Sequence, residues 1–331
     1  MRHPFCLVLL FLLPVFSGAA QMETPGANSY SPLAVSSATP ATVLRIDVVD
    51  QRRTRTIPLK IFLPAEEKSA PVILFSHGLG GSREGNAYLG KHWAARGYAV
   101  VFLQHPGSDA AIWEDQTTRR ARRQALENAV SAENLQLRAE DVPAVLNQLA
   151  VWQKQKGHPL FGRIDVTRTG MAGHSFGAVT TQAVSGQRFP GKKTGWTDPR
   201  IRAAIALSPS QPRTGNASTA FGEVRIPWLL MTGTADVAEV GGISLADRLA
   251  VFPALPPGNK YELVLQGAIH ADFTDSTVRQ ITRNPRYHRA ILAISTAFWD
   301  ATLKNDPLAG QWLAGDFPRA VLEKDDRWQR K

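Results

Sequence analysis

The chain has a single cysteine, Cys6, and it lies within an apolar run near the N-terminus. Once that run is removed no thiol remains, which excludes disulfides, a cysteine nucleophile and a cysteine-ligated metal. Stability must then come from a buried core, and 44% hydrophobic residues are ample for one. Internal repeats are lacking, as is any Pro/Gly-rich linker that would divide the 331 residues into two domains. A nucleic-acid-binding motif is also missing. The formal charge is +10, from 38 Lys and Arg against 28 Asp and Glu. These basic residues are spread along the whole chain, the pattern of a soluble basic protein with no nucleic-acid partner.

Arg2 and His3 precede the apolar run from Phe5 to Phe16, and Ser17, Gly18, Ala19 and Ala20 follow it. This is the layout of a secretory signal peptide over residues 1–20, cut after Ala19 or Ala20. The run is shorter than the roughly 20 apolar residues that a membrane span needs, so no stable span is expected after cleavage. Cys6 stands at the front of the run and not just behind it, which is the wrong place for a lipid-modified N-terminus. An exported protein is expected, periplasmic or secreted. Residues 21–40 are rich in Ser, Ala, Pro and Gly and read as a disordered lead-in.

From Thr42 to Asp50 and from Thr54 to Leu63 apolar and polar residues alternate, which predicts an antiparallel pair of strands. Continuous apolar runs follow at Pro71–Ser76, Tyr98–Leu103, Ile201–Leu207, Pro227–Thr232 and Tyr261–Leu265. Runs of this kind mark strands buried on both faces. Helical stretches are predicted at about 86–96, 135–153, 245–251 and 287–303. The fold class expected is α/β, with a mostly parallel central sheet covered on both faces and an antiparallel N-terminal pair. One domain is expected over 41–305, with a short polar tail over 306–331.

The organising stretch is Gly173-His174-Ser175-Phe176-Gly177. A strand, Thr167–Ala172, leads into it, and a helix from Ala178 leaves it, closed by Gly186. Strand, tight turn and helix N-terminus are the context that lifts a serine hydroxyl clear of a sheet. Parallel sheets carry function at the carboxyl ends of their strands. His270 follows the last strand and can take the Ser175 proton. Asp236 follows the strand Pro227–Thr232 and can hold the imidazole. His77, His92, His105, His158, His174 and His288 compete as base, and Asp272 and Asp275 compete as acid. His174 is expected to point away along the turn, and His77 to brace the glycine-rich turn His77–Gly81. Two backbone donors are needed for a developing oxyanion. They are expected from Phe176, next to the serine, and Leu79 in the His77–Gly81 turn. The order Ser, Asp, His is that of an α/β-hydrolase.

Phe75-Ser76-His77-Gly78-Leu79-Gly80, the elbow Gly173–Gly177, the element His270-Ala271-Asp272-Phe273 and the run from Arg138 to Leu149 resemble one branch of the α/β-hydrolases. That branch holds the platelet-activating-factor acetylhydrolases and the dienelactone-hydrolase-like proteins. The resemblance covers about Thr54 to Phe298 and implies a serine esterase with oxyanion donors at Leu79 and Phe176. This sequence departs from the pattern in three places. Ala178 stands where the elbow usually carries a second glycine. The nucleophile is a serine, whereas true dienelactone hydrolases use cysteine. The acid of the acetylhydrolases follows the strand directly after the elbow helix, where this chain has Ser208 and no carboxylate. The acid is therefore expected one strand later, at Asp236.

The reaction expected is hydrolysis of a small or lipid-like carboxylic ester through an acyl-enzyme, which needs no metal or cofactor. An acyltransferase or a serine peptidase would share the same three residues, whereas a non-catalytic binding protein would be expected to lose one. Only Pro209–Arg225 separates two strands beside the elbow, which leaves little room for a lid there. The longer Asp109–Asn134 insertion could give partial cover, with Trp113 as an acyl or ring contact. The cluster Arg119–Arg123 reads as a solvated helix face.

Overall fold

The computed structural model describes Met1 and residues 30–35, 40–189, 191, 195–275 and 284–331. The expected signal peptide, apart from Met1, and most of the expected lead-in lie outside the described residues. Ser31–Lys331 form one folded unit.

The first part of the chain runs β1 (Thr42–Asp50), β2 (Arg55–Leu63), β3 (Ala70–Ser76), α1 (Ala87–Ala95) and β4 (Ala99–Leu103). Three helices follow, α2 (Ala111–Glu114), α3 (Arg119–Ala129) and α4 (Ala132–Trp152). The elbow region is β5 (Ile164–His174), α5 (Phe176–Val184), β6 (Ile201–Leu207) and α6 (Ala217–Phe221). Beyond it come β7 (Trp228–Ala235), α7 (Leu245–Leu249), α8 (Val251–Ala254) and β8 (Lys260–Ile269). The chain ends in α9 (Pro285–Leu303), α10 (Pro307–Ala314) and β9 (Arg327–Arg330).

The strands form one nine-stranded sheet in the order β1-β2-β4-β3-β5-β6-β7-β8-β9. β1 and β2 pair antiparallel as expected, and β3 to β8 are parallel to one another. The apolar runs occupy the inner strands because those strands have helices on both faces: every residue of β3 and β4 is buried. Val142, Val145, Leu146 and Leu149 of α4 pack on Leu74 and Val101. On the other face Trp93 of α1 meets Trp299 of α9 edge-on, with ring centroids 5.9 Å apart. Burying one such side chain contributes about 1.5–3 kcal/mol, so a core of this size supplies the stability that disulfides would give elsewhere.

Several strands run a few residues longer than expected, among them β5, β7 and β8, and two further differences have a clear cause. α4 begins three residues before Leu135 because the Ser131 hydroxyl caps it, accepting from the Asn134 N–H at 3.1 Å. The polar tail is not a tail. Residues 307–330 fold as α10, a 3-10 turn at Phe317–Val321, and β9, which pairs antiparallel with the edge of β8. Trp328 stacks on Tyr261 at 5.7 Å. Asp326 accepts from the Gln266 N–H at 2.7 Å and from Arg286 at 2.9 Å. The polar side chains of this segment are thus spent on pairing, and the domain continues to the end of the chain. The described part of the lead-in is also docked: Arg96 donates to the Ser31 and Ala34 carbonyls at 3.3 and 2.6 Å.

Candidate active site

Ser175 sits between β5 and α5 with φ 57° and ψ −116°, a conformation that costs a non-glycine residue about 1–3 kcal/mol. Its neighbours leave no other choice. A Cβ on Gly173 would lie 2.2 Å from the Gly177 carbonyl oxygen, and a Cβ on Gly177 would lie 1.9 Å from that of Ser76. Both glycines are therefore required for α5 to press against β3 and β5 while the turn projects Ser175 from the middle of the sheet.

Three side chains from three strand ends meet there. His270 Nε2 lies 2.9 Å from Ser175 Oγ, and His270 Nδ1 lies 2.7 Å from Asp236 Oδ1. An ionised carboxylate only accepts, so Nδ1 carries the proton and the lone pair of Nε2 faces the hydroxyl. Asp236 is fully buried, whereas the His270 side chain is 27% exposed. Burial alone would raise the Asp236 pKa. The bonds from His270 and Ser208, with the charge of Arg248, outweigh burial and hold it below the usual carboxylate range. Thr232 Oγ1 also donates to Oδ2, at 2.9 Å.

The competing residues are engaged elsewhere. Asp272 accepts from the Ile269 N–H at 2.8 Å, and Asp275 accepts from the Asn86 N–H at 2.6 Å at the start of α1. His158 stacks on Trp152, and His288 stacks on Tyr88. His92 bonds the Pro32 carbonyl. His105 bridges Ser76 and Asp141, at 2.9 Å to each. His174 does not point away along the turn: its ring lies against that of His270, centroids 4.6 Å apart. The turn that exposes Ser175 leaves the preceding side chain on the inner side, under the imidazole.

The His77–Gly81 turn faces the elbow, and a Cβ on Gly78 would lie 3.5 Å from that of Ser175. Phe176 is the first residue of α5, where an N–H has no intrahelical partner. The turn is pinned to the β4–α2 connection: Gly80 N–H donates to Ser108 O at 2.9 Å, and Ala110 N–H to Gly81 O at 2.8 Å. His77 Nε2 accepts from the His105 N–H at 3.0 Å, so Nδ1 holds the proton and donates to Gly78 O at 2.6 Å. Burial first, and then the charge of Arg138, keep this ring neutral, with its pKa well below 6.5. Trp113 is a strut of the same turn, its indole N–H donating to Gly80 O at 2.8 Å.

Sequence reasoning passed over Ser208, Thr232 and Arg248 as parts of this site. Arg248 Nε donates to the Asp236 carbonyl at 2.7 Å and lies 3.0 Å from Oδ1, and Nη1 donates to Ser208 O at 2.7 Å. The one available signal was the missing carboxylate at Ser208. Among the described residues no group of three His, Cys, Asp or Glu side chains is placed to hold a metal. No helix of the described residues is long and apolar enough to cross a membrane.

The family described as platelet-activating factor acetylhydrolase, isoform II, matches residues 42–282. The chain belongs to this family. Membership, the sheet order and the antiparallel N-terminal pair agree on an α/β-hydrolase, and the family is one of lipase/esterase-type hydrolases acting on esters. The matched span contains Leu79, Ser175, Phe176, Asp236 and His270. It ends before α9 and β9, so the strand that closes the sheet edge lies outside it.

Proposed function

We propose that the protein is an exported serine esterase that cleaves small or lipid-like carboxylic esters through an acyl-enzyme. The observation that carries this reading is the bonded chain Asp236–His270–Ser175, at 2.7 and 2.9 Å. Ser175 Oγ attacks the ester carbonyl while His270 Nε2 takes its proton. The tetrahedral oxyanion forms against the N–H groups of Leu79 and Phe176. His270⁺ returns the proton to the departing alcohol. Water, activated by the same imidazole, then releases the acid. Asp236 holds the Nδ1–H tautomer and offsets the charge of the imidazolium.

Hydrolysis of p-nitrophenyl esters by wild type and Ser175→Ala tests the reaction. Loss of turnover and of fluorophosphonate labelling is expected in the variant, and equal rates would end the proposal. Export to the periplasm or medium is supported by the apolar run Phe5–Phe16 and the small residues after it. The mature N-terminus, read by mass spectrometry of the expressed full chain, is expected just after Ala19 or Ala20. A chain that keeps Met1 would oppose export by cleavage.

A further inference from the structure

Arg138 of α4 is fully buried, yet among the described residues it forms no ion pair. The carboxylates of Asp141 and Asp109 act on it only from beyond ion-pair distance, and burial still pulls its pKa down to about 9. An enclosed charge is costly, so where its donors go is informative. Its five N–H groups have five oxygen acceptors. Nε donates to Ser108 Oγ at 2.8 Å, and Nη1 donates to His77 O at 2.7 Å and Ser76 Oγ at 3.3 Å. Nη2 donates to Ser108 O at 3.3 Å and Gly78 O at 3.4 Å. The guanidinium carbon also lies 4.5 Å from the centroid of the Phe176 ring. One cation therefore touches the His77–Gly81 turn, the segment that pins it, and the residue after Ser175.

The consequence follows from the geometry of one peptide. Gly78 O and the Leu79 N–H belong to the same trans unit and point in opposite directions. Gly78 O accepts from His77 Nδ1–H at 2.6 Å, from Gly81 N–H at 3.1 Å and from Arg138 at 3.4 Å. Fixing that oxygen on the α4 side fixes the Leu79 N–H on the side away from it. Donors and a positive charge at the carbonyl end also polarise the peptide, which makes its N–H a better partner for a negative oxygen.

We propose that Arg138 is a positioning residue for the oxyanion hole: it orients and polarises the Gly78–Leu79 peptide and, through the Phe176 ring, registers the second donor against the first. This rests on the serine mechanism above. Displacement of a donor by about 1 Å can cost about a hundredfold in rate, which sets the scale of the effect.

Arg138→Met and Arg138→Lys are to be compared with wild type for kcat and KM on a p-nitrophenyl ester, per folded enzyme measured by near-UV circular dichroism. The Ki for a trifluoromethyl ketone, which binds serine as an oxyanion, is measured beside them. In Arg138→Met, kcat is expected to fall by about a hundredfold with KM little changed, and Ki to rise in parallel. Arg138→Lys is expected to recover part of both, because an ammonium keeps the charge but cannot span all five acceptors. A wild-type kcat in Arg138→Met, or a kcat loss with unchanged Ki, would overturn the proposal. If Arg138→Met does not fold, Ser108→Ala removes the Nε acceptor, and the same parallel loss, smaller in size, is expected. Unchanged kcat and Ki in Ser108→Ala would also overturn it. Ser175→Ala separates two kinds of failure. Turnover that survives Ser175→Ala overturns the serine mechanism together with the role of Arg138. Turnover lost there but intact in Arg138→Met overturns the role of Arg138 alone.

Discussion

The Ser208 hydroxyl donates to Asp236 Oδ2 at 2.6 Å, joining the end of β6 to the residue just past the end of β7. Ser208 has φ 60°, a left-handed conformation that serine rarely adopts, and its N–H is held by Met231 O at 2.7 Å. The strand end where the family resemblance would place the acid thus holds a hydroxyl that serves the acid of the next strand. Ser208→Ala should lower kcat by about tenfold and stability by about 1–2 kcal/mol, as one buried acceptor atom loses a donor. Asp236→Asn should lose about 10⁴ in kcat, since an amide can favour the wrong imidazole tautomer. Steady-state kinetics of the two variants check the order of these effects. A larger loss in Ser208→Ala than in Asp236→Asn would contradict the assignment of the acid.

Close approach of backbones at the elbow makes a second expectation sharp. Gly173→Ala and Gly177→Ala would each put a methyl group 1.9–2.2 Å from a carbonyl oxygen that belongs to the packed backbone. Overpacking of this kind costs about 3 kcal/mol or more. Both variants should therefore be poorly soluble or inactive, as solubility, chemical denaturation and activity assays would reveal. Gly97→Ala has open space around it but φ +87°, so it should cost about 1–2 kcal/mol, from backbone strain alone.

Stability should fall on mild acidification, before the carboxylates titrate. His105 is held down to about 4 by burial, and burial also keeps His77 and His174 well below 6.5. Their unfolded pKa is about 6.5. Below that pH the unfolded chain binds protons that the native chain refuses, so stability falls as pH falls. The loss begins near pH 6.5 and, for His105, ends near 4. Each such histidine contributes a slope of up to about 1.4 kcal/mol per pH unit. Urea midpoints at pH 7 and pH 5 measure it, and equal midpoints would mean that these rings are not neutral in the folded protein.

Removal of residues 324–331 should do more than shorten a tail. It uncovers the edge of β8, the strand that His270 directly follows, and deletes Asp326, which binds both Gln266 and Arg286. An exposed edge invites association between chains. The truncated protein is expected to melt at lower temperature, to aggregate, and to lose kcat. Thermal unfolding, light scattering and esterase assays on the two lengths check each part.

The sequence by itself determined the buried strands, the elbow and the order of Ser175, Asp236 and His270. These depend on local features: continuous apolar runs, glycines where two backbones touch, and residues placed just after strands. The fate of polar side chains was decided by tertiary structure. Arg138 and Arg248 look like any surface arginine in the chain, and they are buried only because carbonyls from distant segments converge on them. β9 reads Arg327-Trp328-Gln329-Arg330, with little apolar pattern, and becomes a strand because the open edge of β8 offers it partners. The packing of His174 under His270 likewise follows from the turn geometry at Ser175. Apolar periodicity is written residue by residue along the chain. The enclosure of a charge depends on which segments close around it, and that is fixed only when the sheet and its helices come together.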